Sequence, residues 1–168
     1  MRLISLKMTD FMAYRGSHEI DFQVTREAPI LLFLGENGHG KSSIQHAVRW
    51  CLYGATEEKR IPIPATKLLN RKAAQGLAYQ QDPPMVVELC WEADGRIYTL
   101  VRRWSAKNSS DAGEAVLRID GGNPVPESSI PNFVNKYLAR SVAHFFFFDG
   151  EVQDEFDQMV ANAKSAAF

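Results

Sequence analysis

Two cysteines, Cys51 and Cys90, are too few for a disulfide framework, and neither belongs to a CxxC pair. Each sits inside an apolar pattern, which makes both reduced, buried residues of a cytoplasmic protein. The four histidines, His18, His39, His46 and His144, fall at no metal-ligand spacing and suggest no metal centre of their own. No apolar run approaches membrane-spanning length, and Met1-Arg2-Leu3-Ile4-Ser5-Leu6-Lys7 is too short in its apolar part for a signal peptide, so no membrane partner is expected. Charge of one sign is also missing: 19 Lys and Arg stand against 20 Asp and Glu, a net charge of −1. Any surface for a polyanion must therefore be a local patch. What is present is ordinary for a globular chain, with 45% apolar and 23% charged residues in 168, enough for one domain with a real core.

Residues 1–8 read as a strand, with His18-Glu19-Ile20-Asp21-Phe22 as its hairpin partner and Arg15-Gly16 near the turn. Pro29-Ile30-Leu31-Leu32-Phe33-Leu34 is a continuous apolar run, the pattern of a strand buried on both faces. Ile44, Ala47, Val48, Cys51 and Leu52 then follow helical spacing, and Gly54 stands where a C-terminal cap belongs. Residues 55–84, punctuated by Pro62, Pro64, Pro83 and Pro84, read as a surface excursion with one short helix over 66–78. From Met85 the period becomes two: Met85, Val87, Leu89 and Trp91 share a face, Asp94-Gly95 turns the chain, and 97–101 and 116–119 complete an antiparallel meander. Ile130, Phe133, Val134, Tyr137 and Leu138 mark a helix capped by Ser128 or Ser129. A second apolar strand over 142–148 leads to Asp149-Gly150-Glu151, and a last helix runs from Val152 to Phe168 without a closing cap, as in a piece of a longer protein.

Between the first apolar run and the first helix stands Gly35-Glu36-Asn37-Gly38-His39-Gly40-Lys41-Ser42, which satisfies GxxxxGK[ST] in the strand–helix context that the pattern requires. Its physics is specific to phosphate. Glycines let successive backbone N–H groups turn inward, and the helix N-terminus adds positive partial charge. Glu36, Asn37, Gly38, His39, Gly40, Lys41, Ser42 and Ser43 are the nucleotide-binding candidates. Lys41 is placed to reach the β- and γ-phosphates of ATP, and the Ser42 hydroxyl to sit on Mg²⁺. His39 is read as a tolerated variable position. Tyr14 is a candidate stacking partner for adenine.

Three segments together resemble the N-terminal half of the SMC-like, RecF-like ATPases of the ABC superfamily. They are Leu6-Lys7-Met8-Thr9-Asp10-Phe11 leading to Tyr14, Gly16 and Ile20-Asp21-Phe22; the phosphate loop with Ser43-Ile44, Ala47 and the closing Cys51-Leu52-Tyr53-Gly54; and Phe145-Phe146-Phe147-Phe148-Asp149-Gly150-Glu151. The third looks like the DNA-sulfur-modification ATPases of the DndD type. The resemblance implies a large DNA-processing protein, in DNA modification, repair or phage defence, whose two halves are separated by a long coiled coil. The partners it implies are DNA, the C-terminal half of the same ATPase, a second head in an ATP-driven homodimer, and other DNA-processing subunits. It further implies that the signature segment and the Asp-Glu pair lie outside these residues, so the 168 residues alone would turn over little ATP. Where the family carries a basic residue after the Phe matching Phe11, Met12 stands here, and Arg15 is the candidate substitute.

Asp149 lies just past the end of an expected strand, where ligands of parallel sheets bind. One reading makes it a sensor of Mg²⁺ and γ-phosphate. A second makes 145–149 a Walker B segment with Glu151 as the water-orienting base, which would complete a small self-contained phosphotransferase or NTPase. The third is a strand-ending turn with solvated acids. Lys41, Asp149 and Glu151 are thus the catalytic candidates, and Ser42 and Asp149 those for the metal. Arg102-Arg103-Trp104, Lys107, Arg71-Lys72 and Lys59-Arg60 are either DNA-phosphate contacts or a solvated face. The expected architecture is α/β, a P-loop NTPase of the ABC-type head (N-terminal lobe), with a mixed sheet and antiparallel meander. It forms one unit over 1–168: strands, loop and first helix (1–54), excursion (55–84), meander (85–125), and helix, strand, sensor loop and emerging helix (126–168).

Overall fold

A computed structural model describes residues 1–36, 38–58, 61–76 and 84–147. In chain order the elements are β1 (Arg2–Phe11), β2 (Tyr14–Asp21), α1 (Lys41–Tyr53), β3 (Glu57–Glu58), β4 (Ile61–Pro62), α2 (Ala65–Leu68), α3 (Arg71–Gln75), β5 (Met85–Ala93), β6 (Arg96–Trp104), β7 (Glu114–Ile119) and α4 (Ile130–Tyr137). Five strands form one sheet in the order β2-β1-β5-β6-β7, every pair antiparallel. β3 and β4 pair separately.

The period-two pattern dictates the sheet. Along β5 every second residue from Met85 to Ala93 is buried, because alternate side chains of a strand point to opposite faces. Register then aligns like with like: Leu6 opposes Leu89, Leu89 opposes Leu100 and Leu100 opposes Leu117. These four leucines are fully buried and form a rung across β1, β5, β6 and β7. The β5–β6 hairpin closes through Asp94 (φ 51°) and Gly95 (φ 70°), the positive pair that a two-residue turn needs to match the strand twist.

α1 covers this face with Ile44, Ala47, Val48, Trp50, Cys51 and Leu52. Gly54, at φ 68°, ends it by donating its N–H to the Trp50 carbonyl at 2.8 Å. Trp50, which lies just beside the expected stripe, is buried against Phe11 with ring centroids 6.0 Å apart. α4 buries Ile130 and Val134 and carries Pro131 in its first turn; Ser129 precedes it, but its side chain makes no capping bond. The Tyr137 hydroxyl, 2.8 Å from that of Tyr98 and 3.1 Å from Asp94, ties the end of α4 to the hairpin turn.

Several expectations are corrected. The run 29–34 is not a strand: Ile30 is 81% and Leu34 85% exposed, and the Phe33 ring meets that of Phe22 in a T-shaped contact at 6.3 Å. The run 142–147 is not a strand either; it lies in and just after a 3-10 turn over Arg140–Phe145, with Phe146 68% exposed. A strand buried on both faces needs hydrogen-bonding neighbours and two covering layers, and no described strand lies beside either run. Phe148 lies outside the described residues, as does everything from 149 to 168, including the expected last helix. The sheet is therefore antiparallel throughout its described extent. The β1–β2 turn falls at Met12-Ala13, before Arg15-Gly16, because β2 starts at Tyr14. The single helix expected over 66–78 is two, α2 and α3, split at Leu69-Asn70, with 77–78 outside the described residues. Cys51 is buried, but Cys90 is half-buried, since its place on β5 faces away from the helices.

The leucine rung is expected to dominate stability. Leu89→Ala should destabilise the chain by about 2–5 kcal/mol, through lost transfer energy and a residual cavity. The exposed Lys7→Ala should stay within about 0.5 kcal/mol in the same denaturant titration.

Candidate phosphate-binding site

The candidate loop connects the irregular segment after β2 to α1, which begins at Lys41. Gly40 stands at the N-cap in a left-handed conformation, φ 92°, and no side chain caps the helix. The first turn of α1 carries no acidic residue. The leading N–H groups and the positive end of the helix dipole are thus left for an external anion, which is the chemistry of phosphate binding. Gly38 is also left-handed, φ 82°, so two of the loop's three glycines use backbone freedom that other residues rarely have.

Lys41 folds back over the loop. Its ammonium donates to the carbonyls of Gly35 at 2.6 Å and Glu36 at 2.9 Å. Both partners are neutral acceptors, so a phosphate oxygen would form a stronger, charge-assisted bond with the same ammonium. His39 donates its backbone N–H to Glu36 at 3.3 Å, and its Nδ1 lies 3.9 Å from the Glu36 carboxylate with both side chains exposed. Ser42 is exposed and Ser43 buried at the start of the helix, which leaves Ser42 the freer hydroxyl for a metal. Asn37, Asp149 and Glu151 lie outside the described residues.

Tyr14 is brought to the loop from β2. Its hydroxyl donates to the Gly40 carbonyl at 3.3 Å, and its ring meets His18 edge-on at 5.3 Å. Burial raises the phenol's pKa above its ordinary value. A Cβ on Gly40 would come within 3.1 Å of both the Tyr14 ring and the Ala13 Cβ. Arg15, the next residue of β2, is exposed.

Arg102 is not a DNA contact. It is only 7% exposed and donates from Nε to the Cys51 carbonyl and from Nη1 to that of Ala112, both at 2.9 Å. Burial pulls its pKa below the usual guanidinium value. Trp104 is buried too, whereas Arg103, Lys107, Arg71 and Lys72 are exposed. Lys59 and Arg60 lie outside the described residues. Sequence reasoning missed Asn70, whose buried side chain ties the β1–β2 turn to α3, because it fell inside the expected helix over 66–78.

A glycine-rich loop of the GxxxxGKS pattern feeding an uncapped helix that packs on a sheet is the arrangement of a P-loop NTPase. The chain is a member of the AAA domain family, whose model matches residues 5–166. Over 56 residues, 33% of this chain and 6% of the relative, it is 43% identical to the C subunit of the nuclease SbcCD of Vibrio cholerae. Over 105 residues, 62% of this chain and 10% of the relative, it is 29% identical to the DNA double-strand break repair Rad50 ATPase of Thermoplasma acidophilum. The chain thus spans a tenth or less of the length of these two relatives. Among solved structures it is similar to the SMC head domain from Thermotoga maritima, with 24% identity, a TM-score of 0.43, and coverage of 79% of this chain and 42% of that one.

Gly40→Ala is expected to cost about 1–2 kcal/mol, the penalty of a left-handed non-glycine residue. Gly38→Ala, whose added Cβ would meet nothing within 4 Å, should cost about the same or less, and thermal unfolding of the two variants compares them.

Proposed function

We propose that this chain is the ATP-binding N-terminal half of an SMC-like DNA-processing ATPase. The observation that carries the reading is the pairing of an α1 N-terminus without a side-chain cap with a Lys41 ammonium that, among the described residues, is held by the Gly35 and Glu36 carbonyls. Lys41 and the amides at the start of α1 would hold the β- and γ-phosphates. Ser42 would hold Mg²⁺, which when bound supplies positive charge to the phosphate oxygens. The names of the relatives, one a component of a nuclease and the other a break-repair ATPase, support DNA repair as the setting. DNA modification of the sulfur type or phage defence is the finer reading, and it rests on Phe145-Phe146-Phe147-Phe148-Asp149-Gly150-Glu151. Asp149 then acts as the γ-phosphate sensor.

The two exposed apolar segments support the half-head reading. Ile30, Leu32 and Leu34 are 81%, 71% and 85% exposed, and Val142 and Phe146 are 40% and 68% exposed, beside a sheet that already has its core. Patches of that kind mark surfaces that another element covers. In this reading the C-terminal half of the ATPase supplies the neighbours that cover both segments, and ATP then brings two such heads together. The alternative, a self-contained phosphotransferase, requires Glu151 to serve as base within these residues.

Calorimetry should find Mg²⁺-ATP binding in the wild type and a loss of tenfold or more in Lys41→Ala with its circular dichroism unchanged. Equal binding by both forms would sink the assignment. Phosphate release by the 168 residues alone should stay near background; robust turnover abolished by Glu151→Gln would establish the phosphotransferase reading instead.

A further inference from the structure

The excursion after α1 is wired into the phosphate loop. The end of β1 and the turn after it carry two non-glycine residues in the left-handed region, Asp10 at φ 51° and Met12 at φ 46°, each costing about 1–2 kcal/mol unless its surroundings hold it. Here they do. Met12 donates its N–H to the Leu68 carbonyl at 2.6 Å, and the Asp10 carbonyl accepts from the Asn70 N–H at 2.8 Å. The Asp10 carboxylate accepts the Gly16 N–H at 2.7 Å. Phe11 and Leu69 form an isolated antiparallel bridge between these bonds.

Asn70 is the centre of the arrangement. Asn70 is 7% exposed, and its side chain uses both ends: Nδ2 donates to the Met12 carbonyl at 2.7 Å, while Oδ1 accepts the Lys72 and Ala73 N–H groups at 3.0 and 3.2 Å, capping α3. One amide thus fixes a helix start with its oxygen and a strained turn with its nitrogen. Two residues past Met12, Tyr14 donates to Gly40 and walls its Cα. In a planar trans peptide the carbonyl and the following N–H point in opposite directions. Holding the Gly40 carbonyl on Tyr14 therefore turns the Lys41 N–H the other way, away from Tyr14.

We infer that Tyr14 is a positioning residue of the phosphate loop, setting the Gly40–Lys41 peptide, and that Asn70 holds Tyr14 in place from the excursion. This rests on the nucleotide reading of the loop. Tyr14 then serves the loop backbone, with its hydroxyl and ring edge on Gly40.

The experiment combines Mg²⁺-ATP calorimetry with amide hydrogen exchange of residues 38–43 in the nucleotide-free protein. Tyr14→Phe keeps the ring and removes one hydrogen bond, so affinity should fall about three- to tenfold with the unfolding temperature nearly unchanged. Asn70→Asp keeps the oxygen that caps α3 but replaces the donor to Met12 by an acceptor. It should weaken ATP about tenfold and speed exchange at 38–43 with helix content retained, whereas Asn70→Ser, which restores a small donor, should recover part of both. Wild-type binding with unaltered affinity and exchange in Tyr14→Phe and Asn70→Asp would overturn the positioning role alone. Failure of the wild type to bind ATP would overturn the nucleotide reading and this inference with it.

Discussion

How closely α1 approaches the sheet decides where the phosphate loop sits. Ala47 and Cys51, both fully buried, are the small residues at the contact, and the Cys51 sulfur lies 3.4 Å from the Leu100 carbonyl and 3.6 Å from that of Val87. Burial pushes the Cys51 thiol up to about 12, so it stays a neutral packing group despite the Arg102 guanidinium nearby. Arg102 grips the C-terminal end of the helix through the Cys51 carbonyl and stands 5.9 Å over the Trp50 ring. Trp50 in turn donates to the Asp111 carbonyl at 3.0 Å. With the far end of the helix held this way, its N-terminus is set beside the β1–β2 turn, and the loop residues inherit that position.

The same geometry explains an asymmetry in the site. The loop is fixed firmly where it enters the helix, at Gly40, and lightly where it leaves the apolar segment, since residues 30–34 are not paired in any strand. Lys41 bridges the two ends by holding the Gly35 and Glu36 carbonyls. A site of this kind has its helix dipole and amide donors prearranged, while its upstream wall is supported by one lysine and a few turn bonds. Completion of that wall by further strands would restrict the loop and reduce the ordering cost of binding a triphosphate.

Legibility in the sequence followed the range of the interactions. The meander, the Asp94-Gly95 turn, α1 with its Gly54 cap and α4 were readable because each is written in local periodicity and turn chemistry. The junction of the glycine-rich loop with α1 was readable for the same reason. The two apolar runs carry the pattern of strands buried on both faces, but that pattern records surroundings which the described sheet does not supply. Arg102 was ambiguous because a buried arginine and a surface arginine look alike until the carbonyls of residues 51 and 112 are known to converge on it. Asn70 was invisible for a related reason: its donor reaches back to Met12, 58 positions away in sequence.

A structure with Mg²⁺ and a non-hydrolysable ATP analogue tests most directly whether the start of α1 is a triphosphate site with Lys41 as its movable charge. The β- and γ-phosphates should lie over the α1 N-terminus, with the Lys41 ammonium moved from the Gly35 and Glu36 carbonyls onto phosphate oxygen. An analogue bound elsewhere, with Lys41 still on those two carbonyls, would contradict that assignment.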